Sequence, residues 1–452
     1  MTFRFRQMTH HLYVSFDSNY EWSAFEGLKK IEGDGIVLLG APVGSDVFIS
    51  DYAQTKIEAL QNRLQLTECL QNPQYQLPLL RFCIGLPRVN HLFRLCHPEV
   101  IKEAINSCDT LLDSYISTNL FGHALSPFQR RLISLPVSQG GLGLSIAKDI
   151  ALCAYTGSLF QVTKNTPSIH DKATKSLEEW NLRVQKSITT EEMSRSIHPQ
   201  KLLTAKIHEA TKEWLVSEHV PLVMRTRVNE VMDKDSGLWV TARPSKYHGT
   251  LLKRWEFSLA LQFRYGCNLV DKEGSCSLCI GSRDIGGIHD TECKGDGRHW
   301  SRHNLVRDTL LKIVREAGYS GDREVPHLLG EESDERPADV LIRGYEGGQD
   351  LCVDVAVVSA FSSTNHLKEA EDLKRRRYES SCHTHDLRFT PFIMNTLGNF
   401  GSSCVDLIKT LAVGMADRER SEGVFKFVRR IKERLQIASQ RGVAWSLKNC
   451  TK

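Results

Sequence analysis

The 452-residue chain is 41% hydrophobic and 25% charged, an ordinary globular balance that excludes a wholly disordered protein. At roughly 100–200 residues per domain, its length also argues against one compact core. A net charge of +4 at pH 7 excludes a general positive field, so any nucleic-acid contact has to come from local clusters.

The first structural signal in chain order is the run Gly33-Asp34-Gly35-Ile36-Val37-Leu38-Leu39-Gly40-Ala41-Pro42-Val43-Gly44, read as a buried strand and turn. A helix is predicted over 51–70 from the spacing of Ile57, Leu60, Leu64 and Leu66. Others follow at about 77–96, divided by Pro87, and at 98–120. Leu135-Pro136 with Gly140-Gly141-Leu142-Gly143 marks a turn before a small-residue helix at 146–160. Residues 164–200 are polar and read as a solvated helix or a linker. Helices are then predicted at about 201–218 and 250–265, the latter with Leu252, Trp255, Leu259 and Phe263 on one face. The first half is thus expected to be mostly α.

Beyond Asp271 the character changes. Glycine, cysteine and histidine crowd 271–303, and an amphipathic helix follows with Leu305, Val306, Leu310, Leu311, Val314 and Ala317 on its stripe, ended by Gly318. Two strands, Asp339–Arg343 and Leu351–Ser359, precede a charged helix at 364–380, a strand at 388–397 and helices at 402–414 and 424–438. This order predicts an α/β domain. Thirteen cysteines, mostly single as at Cys69, Cys83, Cys96, Cys153 and Cys352, point to a reducing compartment and to small buried hydrophobes. Without a signal-peptide core at Met1–Arg6 or an apolar run of about 18 residues, a soluble, non-secreted protein with no membrane partner is expected.

Two clusters carry chemistry. Cys276, Cys279, His289 and Cys293 have the spacing C-x2-C-x9-H-x3-C, in which two short-spaced pairs can wrap one tetrahedral structural Zn²⁺; His299 and His303 stand as reserve ligands. The other reading of the cluster is a reduced cysteine pair on a loop beside an incidental histidine. Downstream, Asp339 and Asp354 each interrupt an apolar strand, which costs free energy unless the charge is used or paired. If Arg343 faces Asp350 across the six-residue loop, Asp339 faces Asp354 on the same side of an antiparallel pair. Two adjacent carboxylates suit Mg²⁺, and Lys374 on the next helix is the candidate to orient an attacking water in phosphodiester hydrolysis. The competing reading has Asp339 capping a strand, Asp354 bonding a backbone group, and Lys374 in the solvated run Lys374-Arg375-Arg376-Arg377.

These residues, in this order, resemble the C-terminal part of the non-long-terminal-repeat retrotransposon polyproteins that carry a restriction-like endonuclease. The order is the CCHC cluster, Arg302-His303-Asn304 at the head of a helix, Arg336-Pro337-Ala338-Asp339, Asp354 on the next strand, then Lys374-x-x-Arg377-Tyr378. The resemblance implies a nuclease core of the PD-(D/E)xK type that nicks target DNA, with Asp339, Asp354 and Lys374 catalytic and Arg302, His303, Arg377 and Tyr378 in support. Upstream, Leu38–Gly44, Leu79-Leu80-Arg81 with Arg94, and Leu135–Gly143 look like the segment leading from the palm of a reverse transcriptase into its thumb. The chain departs from the pattern where Ala338 separates Pro337 from Asp339, where Ala356 stands two residues after Asp354, and where Arg377 replaces a second lysine. It has no aromatic-x-Asp-Asp turn, so no polymerase activity is expected from a fragment starting near the end of the palm.

The expected organisation is therefore a palm-like end at 1–50, thumb-like helices at 51–163, a polar linker or solvated helix at 164–200 and a helical connector at 201–270. A zinc knuckle at 271–303 and a restriction-like endonuclease at 304–440 complete it. The expected partners are DNA and RNA, with a nuclear location inferred from the substrate and a cytoplasmic one as the alternative. A rival reading makes the chain an inactive nucleic-acid-binding remnant or pseudogene product, with Lys374–Arg377, Arg429, Arg430, Lys432 and Arg434 holding phosphates. Trp239, Trp255 and Trp300 are read as packing residues.

Overall fold

A computed structural model describes residues 34–448, save 296 and 334, and the backbone of 3–7 and 10–14. Most of the palm-like stretch expected at 1–50 therefore lies outside the described residues. Most of the described chain is helical, with three two-stranded hairpins and one four-stranded sheet. It forms two compact units, and neither is one interval of sequence. The first comprises Met1–Cys69, Leu79–Tyr115 and Ser145–Ala210; the second comprises Leu70–Pro78, Ile116–Leu144 and Thr211–Lys452.

In the first unit, strands β1 (Phe3–Gln7) and β2 (His10–Val14) pair antiparallel, as do β3 (Gly35–Leu38) and β4 (Ala41–Gly44). Leu39 and Gly40 join the second pair with positive φ at both positions, the conformation a two-residue hairpin turn requires. This hairpin is not buried: Val37 and Leu39 are exposed, because two strands alone have nothing to cover their apolar faces. Ser45 caps α1 (Asp46–Thr67) by accepting from the Phe48 amide, and Ala53, Ile57, Leu60 and Leu64 form its buried stripe. Leu66, expected on that stripe, is exposed. Asp109 of α2 (Lys102–Tyr115) is buried and accepts from the Ala147 and Lys148 amides, satisfying the first turn of α3 (Ala147–Thr163).

The 164–200 stretch is helical and solvated on its outer face, as read, but its inner face is docked. It contains α4 (His170–Val184), whose Ala173, Leu177 and Trp180 are buried against Leu152, Cys153 and Phe160 of α3. Spaced by four and three residues, these few apolar side chains fall on one face and suffice to dock an otherwise polar helix. The Trp180 indole sits 3.2 Å from Cys153 Sγ.

The second unit holds the four-stranded sheet, in the order β10 (Arg388–Asn395), β9 (Leu351–Val358), β8 (Val340–Arg343), β7 (Ser320–Arg323). β7–β8 and β8–β9 are antiparallel, while β9–β10 are parallel, joined through α10 (His366–Thr384). Such a parallel pair needs a crossover of this length. One sheet face, with Val340, Ile342, Val353, Val355 and Phe392, packs on α9 (Arg298–Glu316), α11 (Ser402–Arg418) and α12 (Val424–Lys448). The other, with Leu341, Cys352 and Phe389, packs on Tyr378 and Cys382 of α10. Burial on both faces explains why β9 reads as a continuous apolar run, and it makes Asp354 the exception within that run.

Upstream in the same unit lie α6 (Leu222–Val231), α7 (Arg254–Tyr265), the hairpin β5 (Gly274–Ser275) with β6 (Ser282–Arg283), and α8 (Ile288–Glu292). On α7 the buried side is wider than expected, including Phe257, Ala260, Leu261 and Tyr265, while Trp255 and Leu259 are only partly covered. α9 begins seven residues before its apolar stripe does, since Arg298–Asn304 carries no apolar periodicity to announce it. Among the described residues, no helix is long and apolar enough to cross a membrane.

Candidate metal centre and candidate active site

The β5–β6 hairpin brings Cys276 and Cys279 beside α8, which carries His289 and leads into Cys293. Asp284 accepts from the Ile288 and His289 amides at 3.0 and 2.7 Å, fixing the start of α8, and Arg283 Nε lies 3.0 Å from both oxygens of Asp290. The four ligand atoms all lie within 4.8 Å of one another. Cys276 Sγ and Cys293 Sγ are 3.8 Å apart, and Cys279 Sγ and His289 Nε2 are 3.3 Å apart. With Zn–S near 2.3 Å, the edge of a tetrahedron is about 3.8 Å, which the two closest pairs match, and the wider separations close around an ion by small shifts. The Leu278 amide and the His289 ring pull the Cys276 thiol down to about 6, whereas burial holds Cys293 up. A thiolate is the form a metal needs. Such a four-ligand cluster could hold one metal ion and would leave no open position on it. Neither reserve histidine joins it: His303 bonds Asp339, and His299 leans on Trp300 with ring centroids 5.2 Å apart.

The knuckle is tied to the sheet by Arg302. This buried side chain donates to the Thr291 carbonyl on α8 at 2.9 Å and to the Val357 carbonyl on β9 at 3.4 Å. α12 crosses it at Gly442, where an added Cβ would sit 2.7 Å from the Arg302 Cβ.

The β8–β9 ladder pairs Val340 with Val353, Leu341 with Cys352 and Ile342 with Leu351, which is the register expected from Arg343 facing Asp350. The ladder does not continue to Asp339: its amide donates to the Val353 carbonyl at 3.0 Å, so Asp339 and Val340 both face Val353. An extra residue ahead of β8 shifts the register by one, and the expected opposition of Asp339 to Asp354 is not formed, although the two side chains still meet. Asp339 Oδ1 lies 3.1 Å from His303 Nε2, and Oδ2 accepts from the Val355 amide at 2.7 Å. The backbone bond expected of Asp354 in the competing reading thus belongs to Asp339. Lys374 reaches down from α10 to place Nζ 3.1 Å from Asp354 Oδ1 and 2.8 Å from Oδ2.

The two acids are tuned apart. Burial raises Asp354 to about 6 against the pull of the Lys374 ammonium, and the adjoining Asp339 carboxylate adds to the rise. Burial also pushes Asp339 up, but the hydrogen bond and charge of His303 and the Val355 amide outweigh it and hold Asp339 below the usual carboxylate range. Asp339, Asp354, Lys374 and His303 therefore meet in one place. Arg377 does not join them: it faces Glu335 at 3.8 Å and stacks over Tyr378, whose buried ring packs on Phe389. Glu371, a turn before Lys374, is occupied by Ser402 Oγ and the Ser403 amide at the start of α11.

The cations assigned to phosphates on α12 are engaged within the protein. Arg429 pairs with Glu433, Arg430 with Glu419, Lys432 with Asp235, and Arg434 with Glu316. Lys432 and Arg434 are buried, because an amphipathic helix covered on several sides must pair its charges as it packs. Trp300 is not a packing residue: it is 61% exposed at the head of α9. The contact between His303 and Asp339 had no signal in the sequence beyond the position of the histidine on the helix. No family model matches the chain, and no curated protein does.

Proposed function

We propose that the second unit carries a restriction-like, metal-dependent endonuclease that hydrolyses DNA phosphodiesters, in a protein derived from the tail of a retrotransposon polyprotein. The observation that carries the reading is a pair of carboxylates in contact, Asp339 just before β8 and Asp354 on β9, with a lysine ammonium 2.8 Å from one of them. A structural role alone leaves the low-dielectric cost of the pair unanswered. The hard oxygen donors suit Mg²⁺, which would supply a Lewis acid to screen charge on the phosphate.

The chain's own residues do the rest. His303 and the Val355 amide hold the Asp339 carboxylate in one orientation. Lys374 directs a water to phosphorus; the water gives up one proton to solvent as its oxygen bonds phosphorus, the P–O bond on the far side breaks, and the leaving oxygen takes up a proton from solvent. Ala356 stands where the common nuclease motif has lysine, and Lys374 reaches the same carboxylate from the following helix. Zinc in the cysteine cluster serves folding, with Arg302 transmitting the position of α8 to β9. Further support comes from the resemblance already drawn and from a mixed sheet whose central strand carries Asp354.

The test is nicking of supercoiled plasmid by the zinc-loaded full chain with Mg²⁺ or Mn²⁺, beside Asp354→Ala. Cleavage that disappears in the variant is expected. A folded wild-type protein that leaves the plasmid intact refutes the enzyme and leaves the binding remnant.

A further inference from the structure

Between Asp235 and Glu256 the chain has no carboxylate side chain but four cations: Arg243, Lys246, Lys253 and Arg254. All four are exposed, and among the described residues none of them forms an ion pair, unlike the cations of α12. Two aromatic rings stand among them. Tyr247 is 92% exposed, and the edge of His248 meets it with ring centroids 4.9 Å apart.

The loop presenting these groups is built firmly. Thr250 donates from Oγ1 to the Arg243 carbonyl at 2.6 Å and from its amide to the Ser245 carbonyl at 2.9 Å, closing the loop on itself. The buried Gln74 clamps its far side, donating to the Thr250 carbonyl at 2.8 Å and accepting from the Leu252 amide at 2.9 Å. Arg441 holds the Leu251 carbonyl at 2.9 Å. Mutually repelling cations and a fully exposed tyrosine held on an ordered loop stabilise nothing in the fold.

We infer that the loop Arg243–Arg254 is a binding surface for single-stranded nucleic acid, its cations tracking the phosphates and Tyr247 stacking on a base. Exposed aromatic faces among phosphate-binding cations are how proteins hold unpaired strands regardless of sequence, and duplex bases are already stacked and offer no free face. An anionic membrane is the poorer occupant, because the exposed tip Lys246–Gly249 carries no Leu, Ile, Val or Phe to insert and Leu252 is buried. The inference stands on charge and exposure and does not depend on the carboxylate site.

The experiment measures fluorescence anisotropy of a labelled mixed-sequence DNA or RNA oligonucleotide with the full chain, in EDTA at concentrations that leave zinc in place. It compares, on the single strand, on its duplex and on phosphatidylserine vesicles, wild type, the quadruple Gln variant (Arg243→Gln, Lys246→Gln, Lys253→Gln, Arg254→Gln), Tyr247→Ala, Tyr247→Phe and, as a control outside the loop, Lys409→Gln, whose ammonium pairs with Asp406. Losing four phosphate contacts flattens the log–log salt slope by about 3 and weakens binding on the order of 10²-fold at 0.1 M salt. Tyr247→Ala loses about 10-fold on single strands with little change on duplex, Tyr247→Phe restores it, and Lys409→Gln binds as wild type. Unchanged affinity and slope in the quadruple variant overturn the inference. So does a loss confined to phosphatidylserine vesicles, or an equal Tyr247→Ala loss on single strands and duplex.

Discussion

Asp354→Asn tests whether the carboxylate pair is kept for chemistry or for the fold. The native carboxyl sits at about 6 against a starting value of 3.8, a figure already net of the attraction of Lys374. Between those values the folded protein holds a proton that the unfolded chain has released, so stability falls as pH rises through that window. Above about 6 both states are ionised and the whole cost remains, about 3 kcal/mol at 1.36 kcal/mol per unit. The asparagine carries no charge to desolvate. At pH 8 without divalent cations it should be more stable than wild type by about 2–3 kcal/mol, raising Tm by about 4–12 °C for a unit of this size. At pH 4 the two proteins should melt together. Calorimetry at several pH values reads this directly. A variant less stable than wild type at pH 8, or a difference that does not shrink towards pH 4, would refute the reasoning and make Asp354–Lys374 an ordinary structural ion pair.

The cysteine cluster should bind one zinc per chain by atomic absorption; Cys279→Ser should lose it and melt the second unit at lower temperature, while Asp354→Ala should retain it. Arg302→Met leaves the Thr291 and Val357 carbonyls without their donor and should cost about 1–3 kcal/mol, with chelator stripping zinc faster as α8 loosens. Unchanged Tm and zinc-release rate in Arg302→Met would place the link between knuckle and sheet elsewhere.

The α/β elements were legible where period and punctuation agree. Gly318 ends the stripe of α9, and a loop of fixed length between Arg343 and Asp350 sets the β8–β9 register, although the extra residue at Asp339 has no sequence signal. Lys374 was findable because a helix after β9 returns over the sheet. What escaped depends on distant partners. Lys432 looks solvated in sequence, but its partner Asp235 lies 197 positions away. α4 looks polar because only Ala173, Leu177 and Trp180 mark its buried face. The buried β3–β4 strand failed for the opposite reason, since apolar residues there find no second layer to cover them.

The interleaving of the two units has a consequence for how the protein is made. Residues 70–78 and 116–144 leave the ribosome early, yet the unit they complete draws most of its substance from Thr211 onward. Gln74 cannot clamp its loop until Leu252 has been synthesised, and Trp445 must emerge before its indole can bond Glu256. These segments therefore wait for partners made more than a hundred residues later. A protein started at Asp271 would hold every zinc ligand and every acid of the site, and would lack Gln74, Trp239 and Glu256 on which α12 and the basic loop rest.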